Sequence, residues 1–270
     1  VKLPYFSTEE YCDRLSVNNA HSALTFIITF AILMRQFSII QKLLAWSVHL
    51  FTASGLIAAF MSILAINAQD WREAMLWLFL ALFIDGIDGT FARLLKVQEV
   101  LPGIDGKMID YVVDFITYAL IPAYFFYMAD LVPGIGGLLM SFLMLLTAAI
   151  YYGKDGMVSE DMHFIGFPVL WNLILFVLVI VLPLPPLGNM IVIVLFAILH
   201  FIPIKFAYPS RAIRFKNLTL AVSFFSLLTS FWAIWIFPMR KGWLSGMILA
   251  GMAYYLILAL YETYGMKRST

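Results

Sequence analysis

Of the 270 residues, 63% are hydrophobic and 12% charged, and the mean hydropathy is +0.94. A soluble domain is about half apolar and a quarter charged, so no single core hides this much apolar surface and lipid must cover much of it. The net charge of +1 argues against nucleic acid as a partner, and the lone cysteine, Cys12, excludes an intrachain disulfide and a cysteine-based metal site.

Residues 1–19 are polar and carry acidic groups, unlike a basic signal sequence, so no cleavable signal peptide is expected. Residues 1–45 read as an N-terminal segment. Within it, His21 to Met34 is apolar but short for a span, and 20–43 is expected to form an amphipathic or re-entrant helix, a ninth span being the alternative. The region 46–265 reads as one all-α transmembrane domain. Eight apolar runs of spanning length fall near 46–66, 74–92, 108–127, 134–152, 164–182, 187–204, 218–237 and 243–262. Pro102 and Gly103 interrupt one loop. Pro183, Pro185 and Pro186 stop a helix, because proline lacks the N–H and clashes with the preceding turn. The alternation that marks a transmembrane barrel is missing.

With eight spans, one set of loops holds twelve basic residues: Arg35, Lys42, Arg93, Lys96, Lys107, Lys154, Lys205, Arg211, Arg214, Lys216, Lys267 and Arg268. The other set holds only Arg72, Arg240 and Lys241. Basic loops stay in the cytoplasm, so both ends of the spanning region and the loop 93–107 are expected there. Lys205, Arg211 and Arg214 fit topology and headgroup contacts as well as a role on lipid phosphate.

The chemistry concentrates between residues 84 and 118. Asp85 and Asp88 are three apart at the end of one span, and Asp110 and Asp114 are four apart at the start of the next. Both spacings put side chains on one helix face, and the short loop makes the helices neighbours, so four carboxylates converge. Such a cluster repels itself and calls for positive compensation. Oxygen-only ligands suit a hard divalent cation, and the absence of His and Cys argues against zinc. A metal would let the acidic pocket accept a diphosphate. Gly89, Ala92 and Gly106 remove bulk, and Arg93 offers a planar fork for phosphate. On these residues alone a carboxylate-based cation transporter stays open beside an enzyme, although no matching broken-helix repeats are visible.

The pattern D-x-x-D-G-x-x-A-R, twelve residues, then G-x-x-x-D-x-x-x-D resembles the signature of the CDP-alcohol phosphotransferases. The gap from Arg93 to Gly106 is longer than is usual there and is similar to that of the bacterial phosphatidylcholine synthases. The stretches WSVHLFTASG (46–55), FIGFPVLWN (164–172) and FIPIKFAYPSR (201–211) also resemble that subfamily.

The resemblance implies that Asp85, Asp88 and Asp110 ligate Mn²⁺ or Mg²⁺ on a CDP diphosphate. It makes Asp114 the general base and a sharer of a second metal with Asp85 and Asp110. Gly89, Ala92, Arg93 and Gly106 would shape the CDP pocket, with His49 and Thr52 near the nucleotide. The implied substrates are CDP-diacylglycerol and choline, in a homodimer of the bacterial inner membrane whose site faces the cytoplasm. Serine, glycerol phosphate or inositol are alternative acceptors. An intramembrane prenyltransferase also binds diphosphate through aspartates, but the D-G-x-x-A-R element speaks against it. Four acidic groups favour a cationic alcohol. A quaternary ammonium is best held by aromatic faces, for which Tyr118, four beyond Asp114, and Trp171 are candidates.

Overall fold

The computed structural model describes residues 37–159, 163–207 and 215–265. Most of the surface helix expected over 20–43 lies outside the described residues, as do Cys12, Arg35, Arg211, Arg214, Lys267 and Arg268. The chain divides into two compact units, Val1–Phe51 with Ile87–Lys107, and Thr52–Gly86 with Met108–Thr270.

Helix α1 (Ile39–Ala53) and α2 (Gly55–Asn67) follow one another through Ser54 as one apolar run of 29 residues. It starts earlier than the expected 46 because Ser38 caps it. The Gln41 N–H donates to Ser38 Oγ over 3.2 Å, and the Ser38 N–H donates to Gln41 Oε1 over 2.8 Å. This is a reciprocal capping box, which satisfies two otherwise orphaned donors. Helix α3 (Trp71–Leu94) opens on Asp70, whose Oδ1 accepts from the Glu73 N–H. A short turn, α4 (Val97–Val100), leads to α5 (Gly106–Asp114).

In the first unit α1 and α4 share a small core of Ala45, Val48, Val97, Val100 and Leu101. The second unit holds the main core, centred on Trp171, Tyr151, Phe125, Phe126, Ile66 and Met144. After α5 the same helix widens to a π-turn over Phe115–Leu120 and returns to α-helix as α6 (Ile121–Met128). Pro122 supplies the cause: its ring would strike the Tyr118 carbonyl four residues back, and it has no N–H to offer that carbonyl. Helix α7 (Ile135–Tyr152) packs on α6, tied by Ser141 Oγ donating to the buried Ala123 carbonyl.

The next two expected spans need correcting. Only Trp171–Val181 (α8, Trp171–Phe176, ending in a π-turn) and α9 (Pro186–Leu199) are helical. At 11 and 14 residues they fall short of the roughly 20 needed to cross. At the start of the first run and just beyond the end of the second, the chain forms an antiparallel ribbon, β1 (His163–Ile165) against β2 (Lys205–Ala207), with Phe164 opposite Phe206. Gly166 and Pro168 break the first helix and Pro203 the second. Gly166 has φ +93°, and a β-carbon there would collide with the His200 carbonyl oxygen, so only glycine fits. The fold is all-α as expected, with one small ribbon among the described residues. The carbonyls left at the end of the α8 run accept from Arg240 Nη2 (at Val179, 2.8 Å) and Ser245 Oγ (at Val181, 3.2 Å).

The last pair, α10 (Lys216–Trp235) and α11 (Gly242–Leu260), pack together. Hydroxyl pairs Thr219–Tyr254 (2.7 Å) and Ser223–Tyr255 (2.5 Å) join them. Among the described residues six helices are long and apolar enough to cross a bilayer, rather than the expected eight. Large apolar side chains such as Phe60, Ile150, Leu187, Phe224 and Trp235 point outward, as lipid-facing surfaces do. The fold is that of a polytopic membrane protein.

Candidate active site

Asp85 and Asp88 stand one turn apart near the end of α3, and Asp110 stands on α5. One carboxylate oxygen from each of these three lies within 4.8 Å of the others. Oxygen ligands sit about 2.0–2.6 Å from Mg²⁺ or Ca²⁺, hence up to about 4–5 Å apart across the ion. The donor set is all oxygen and the spread matches, so the residues fit one hard divalent cation. Asp88 is 6% exposed, and burial of an ionised carboxylate calls for such compensation. Asp105, in the same stretch, does other work: its Oδ1 accepts from the Lys107 N–H and caps α5.

Asp114 is not one of those three. It is the last residue before the π-turn, and single π-turns are frequent at functional sites. Tyr118 donates its hydroxyl to Asp85 Oδ2 over 2.6 Å. This link spans 33 residues of sequence and engages one of the three carboxylates. Tyr152, at the end of α7, stands within electrostatic range of Asp114, Asp85 and Asp110. Neither Tyr152 nor the Tyr118–Asp85 bond was legible in the motif. Gly55, in the stretch 46–55, positions α5: a β-carbon there would come within 2.7 Å of Val113 Cγ1, next to Asp114.

The residues expected to shape the CDP pocket are found in the first unit. Gly89 and Arg93 are one turn apart, and a β-carbon on Gly89 would sit 3.3 Å from Arg93 Nη1. The exposed Arg93 donates through Nη2 to Thr90 Oγ1 over 3.0 Å. Ala92 packs on the small core of that unit. A β-carbon on Gly106 would lie 3.0 Å from the buried His49 ring. Glycine there makes room for His49, a reason beyond ligand approach. Thr52 is buried.

No protein-family model matches the chain. It is 41% identical over 183 residues to the phosphatidylcholine synthase of Mesorhizobium japonicum, covering 66% of this chain and 67% of that one. It is 37% identical over 226 residues to the phosphatidylcholine synthase of Brucella melitensis (82% and 80%) and 37% over 224 residues to that of Pseudomonas aeruginosa (83% and 94%). The chain belongs to the bacterial phosphatidylcholine synthase family. Membership and the three-carboxylate cluster together support a CDP-alcohol phosphotransferase reaction in this phosphatidylcholine synthase homologue. Its long apolar helices support a multi-pass location in the inner membrane.

Trp171 opens α8 and is fully buried, its ring 5.0 Å from that of His200 at 31°. Lys205 lies in β2, and its N–H donates to Thr263 Oγ1.

Proposed function

We propose that the protein transfers the phosphatidyl group of CDP-diacylglycerol to choline and releases CMP. The observation that carries this is the convergence of Asp85, Asp88 and Asp110 in a chain of this family. Asp114 takes the proton from the choline hydroxyl, a poor nucleophile without a base beside it. The choline oxygen then bonds to the phosphorus that carries diacylglycerol. The bond from that phosphorus to the bridging oxygen breaks, and CMP leaves with the bridging oxygen. Asp85, Asp88 and Asp110 would hold Mn²⁺ or Mg²⁺, with Asp114 sharing a second ion, and the metal supplies charge neutralisation on the diphosphate and the leaving CMP. Tyr118 holds Asp85 in its ligating orientation. Gly89, Ala92, Arg93 and Gly106 bind CDP on the cytoplasmic side, in a homodimer.

Purified protein is incubated with CDP-diacylglycerol, Mn²⁺ or Mg²⁺, and choline, serine, glycerol phosphate or inositol in separate reactions, and CMP is measured. Release with choline alone, lost on chelation, is expected. Release with another alcohol only would keep the reaction class and reject choline. No release with any alcohol would return attention to transport, measured as cation flux in sealed vesicles.

A further inference from the structure

Choline's trimethylammonium group has no N–H to donate, and such a cation is best held by aromatic faces. The two rings singled out by sequence are closed off. Tyr118 is 4% exposed with its hydroxyl on Asp85, and Trp171 is fully buried in the core. The rings with open surface beside the carboxylates are different ones. Tyr111 follows Asp110 and is 40% exposed, and Phe115 follows Asp114 and is half-buried. Four residues apart, the two lie on one face of their helix, rotated by one residue from the carboxylate face. The half-buried Tyr152 approaches from α7 and joins them. Its ring centroid is 5.9 Å from that of Tyr111 at 58° and 6.2 Å from that of Phe115 at 71°. The same Tyr152 feels the charge of Asp114, Asp85 and Asp110. Three tilted rings thus meet beside the residue that takes the acceptor's proton, within one compact unit.

We infer that Tyr111, Phe115 and Tyr152 form the ammonium subsite for the acceptor alcohol, given that the acceptor is choline as proposed above. The hydroxyl of choline is two carbons from its nitrogen, so an ammonium against these rings leaves the hydroxyl on the Asp114 side. The carboxylates add a favourable field for the cation. The three rings are therefore specificity residues: they hold the substrate and leave the proton transfer to Asp114.

The experiment measures choline KM and kcat at saturating CDP-diacylglycerol for the wild type and for Tyr111→Leu, Phe115→Leu, Tyr152→Leu and Tyr152→Phe. A second readout uses tetramethylammonium, which has no hydroxyl and cannot turn over. Its inhibition constant against choline is measured, together with saturation-transfer NMR of its methyl protons on purified protein with CDP-diacylglycerol present. Tyr152→Leu and Phe115→Leu are expected to raise choline KM and the tetramethylammonium inhibition constant together, by about 3- to 30-fold, with kcat nearly kept. Tyr152→Phe keeps the ring and is expected to stay within about twofold of the wild type, which separates loss of a ring face from misfolding. Unchanged KM in all three leucine variants, or a fall in kcat alone, would overturn the subsite while wild-type release of CMP with choline leaves the proposed reaction standing. A wild type that ignores choline, with no NMR transfer to tetramethylammonium, would overturn both.

Discussion

Tyr118 and Asp114 lie on one helix, four residues apart, and do different things. Asp114 is the base in the reaction proposed above, whereas Tyr118 reaches back to Asp85, one of the three carboxylates proposed there to hold the metal. Their variants should therefore separate. Asp114→Asn is expected to abolish CMP release while metal-dependent binding of CDP-diacylglycerol persists, measured by equilibrium binding with and without chelator. Near-normal turnover in this variant would remove Asp114 from the role of base. Tyr118→Phe keeps the ring and loses the hydrogen bond. Partners that orient metal ligands contribute about 10- to 100-fold to metal affinity or activity, so the metal concentration for half-maximal activity should rise by that order, and excess metal should restore turnover. At this scale the acidic motif was legible, because spacings of three and four place its members on helix faces whatever surrounds them; that Asp85, Asp88 and Asp110 group without Asp114 was not. The hydroxyl of Tyr118 was not, because its partner is 33 residues away. Arg93 shows a different limit: its fork is evident in the motif, but the rotamer that turns it to Thr90, three residues back, is not.

Among the elements, those with uninterrupted apolar runs emerged close to expectation. The spans expected over 74–92, 134–152 and 218–237 correspond to Trp71–Leu94, Ile135–Tyr152 and Lys216–Trp235. The runs 164–182 and 187–204 did not. The short segments at their outer borders, HFI (163–165) and KFA (205–207), suit a strand or a helix end, an ambiguity that periodicity does not resolve. Pairing of 163–165 with 205–207 resolved it. The π-turn after Asp114 had a local signal in Pro122, whose clash with the preceding turn needs a wider coil. Close approach of elements is testable at Gly55, where any side chain meets Val113. Gly55→Leu is expected to destabilise the protein by about 1–3 kcal/mol through overpacking and to lower activity by moving α5. Gly246→Leu, at a position where a β-carbon meets nothing within 4 Å, serves as the control and should retain both. Thermal unfolding in detergent and CMP release measure the two effects. Equal behaviour of the two variants would show that α5 does not depend on that contact.

For the molecule as a whole, composition settles the solvent. A chain that is 63% hydrophobic and 12% charged cannot cover its apolar surface with its own core, and the outward-facing Phe, Leu and Trp side chains of the long helices agree. Membrane class, most spans, the acidic motif and the family followed from local order along the chain: run length, helical spacing and residue type. Those properties depend on neighbours a few residues away, which is why they survive without knowledge of the fold. The tertiary structure alone decided which carboxylates meet within 4.8 Å, that Tyr118 holds Asp85, that Tyr152 joins Tyr111 and Phe115, and that two apolar runs end in a ribbon. Each of these is a contact between segments far apart in the chain. Its geometry is set by how helices pack, and no local pattern in the sequence encodes it.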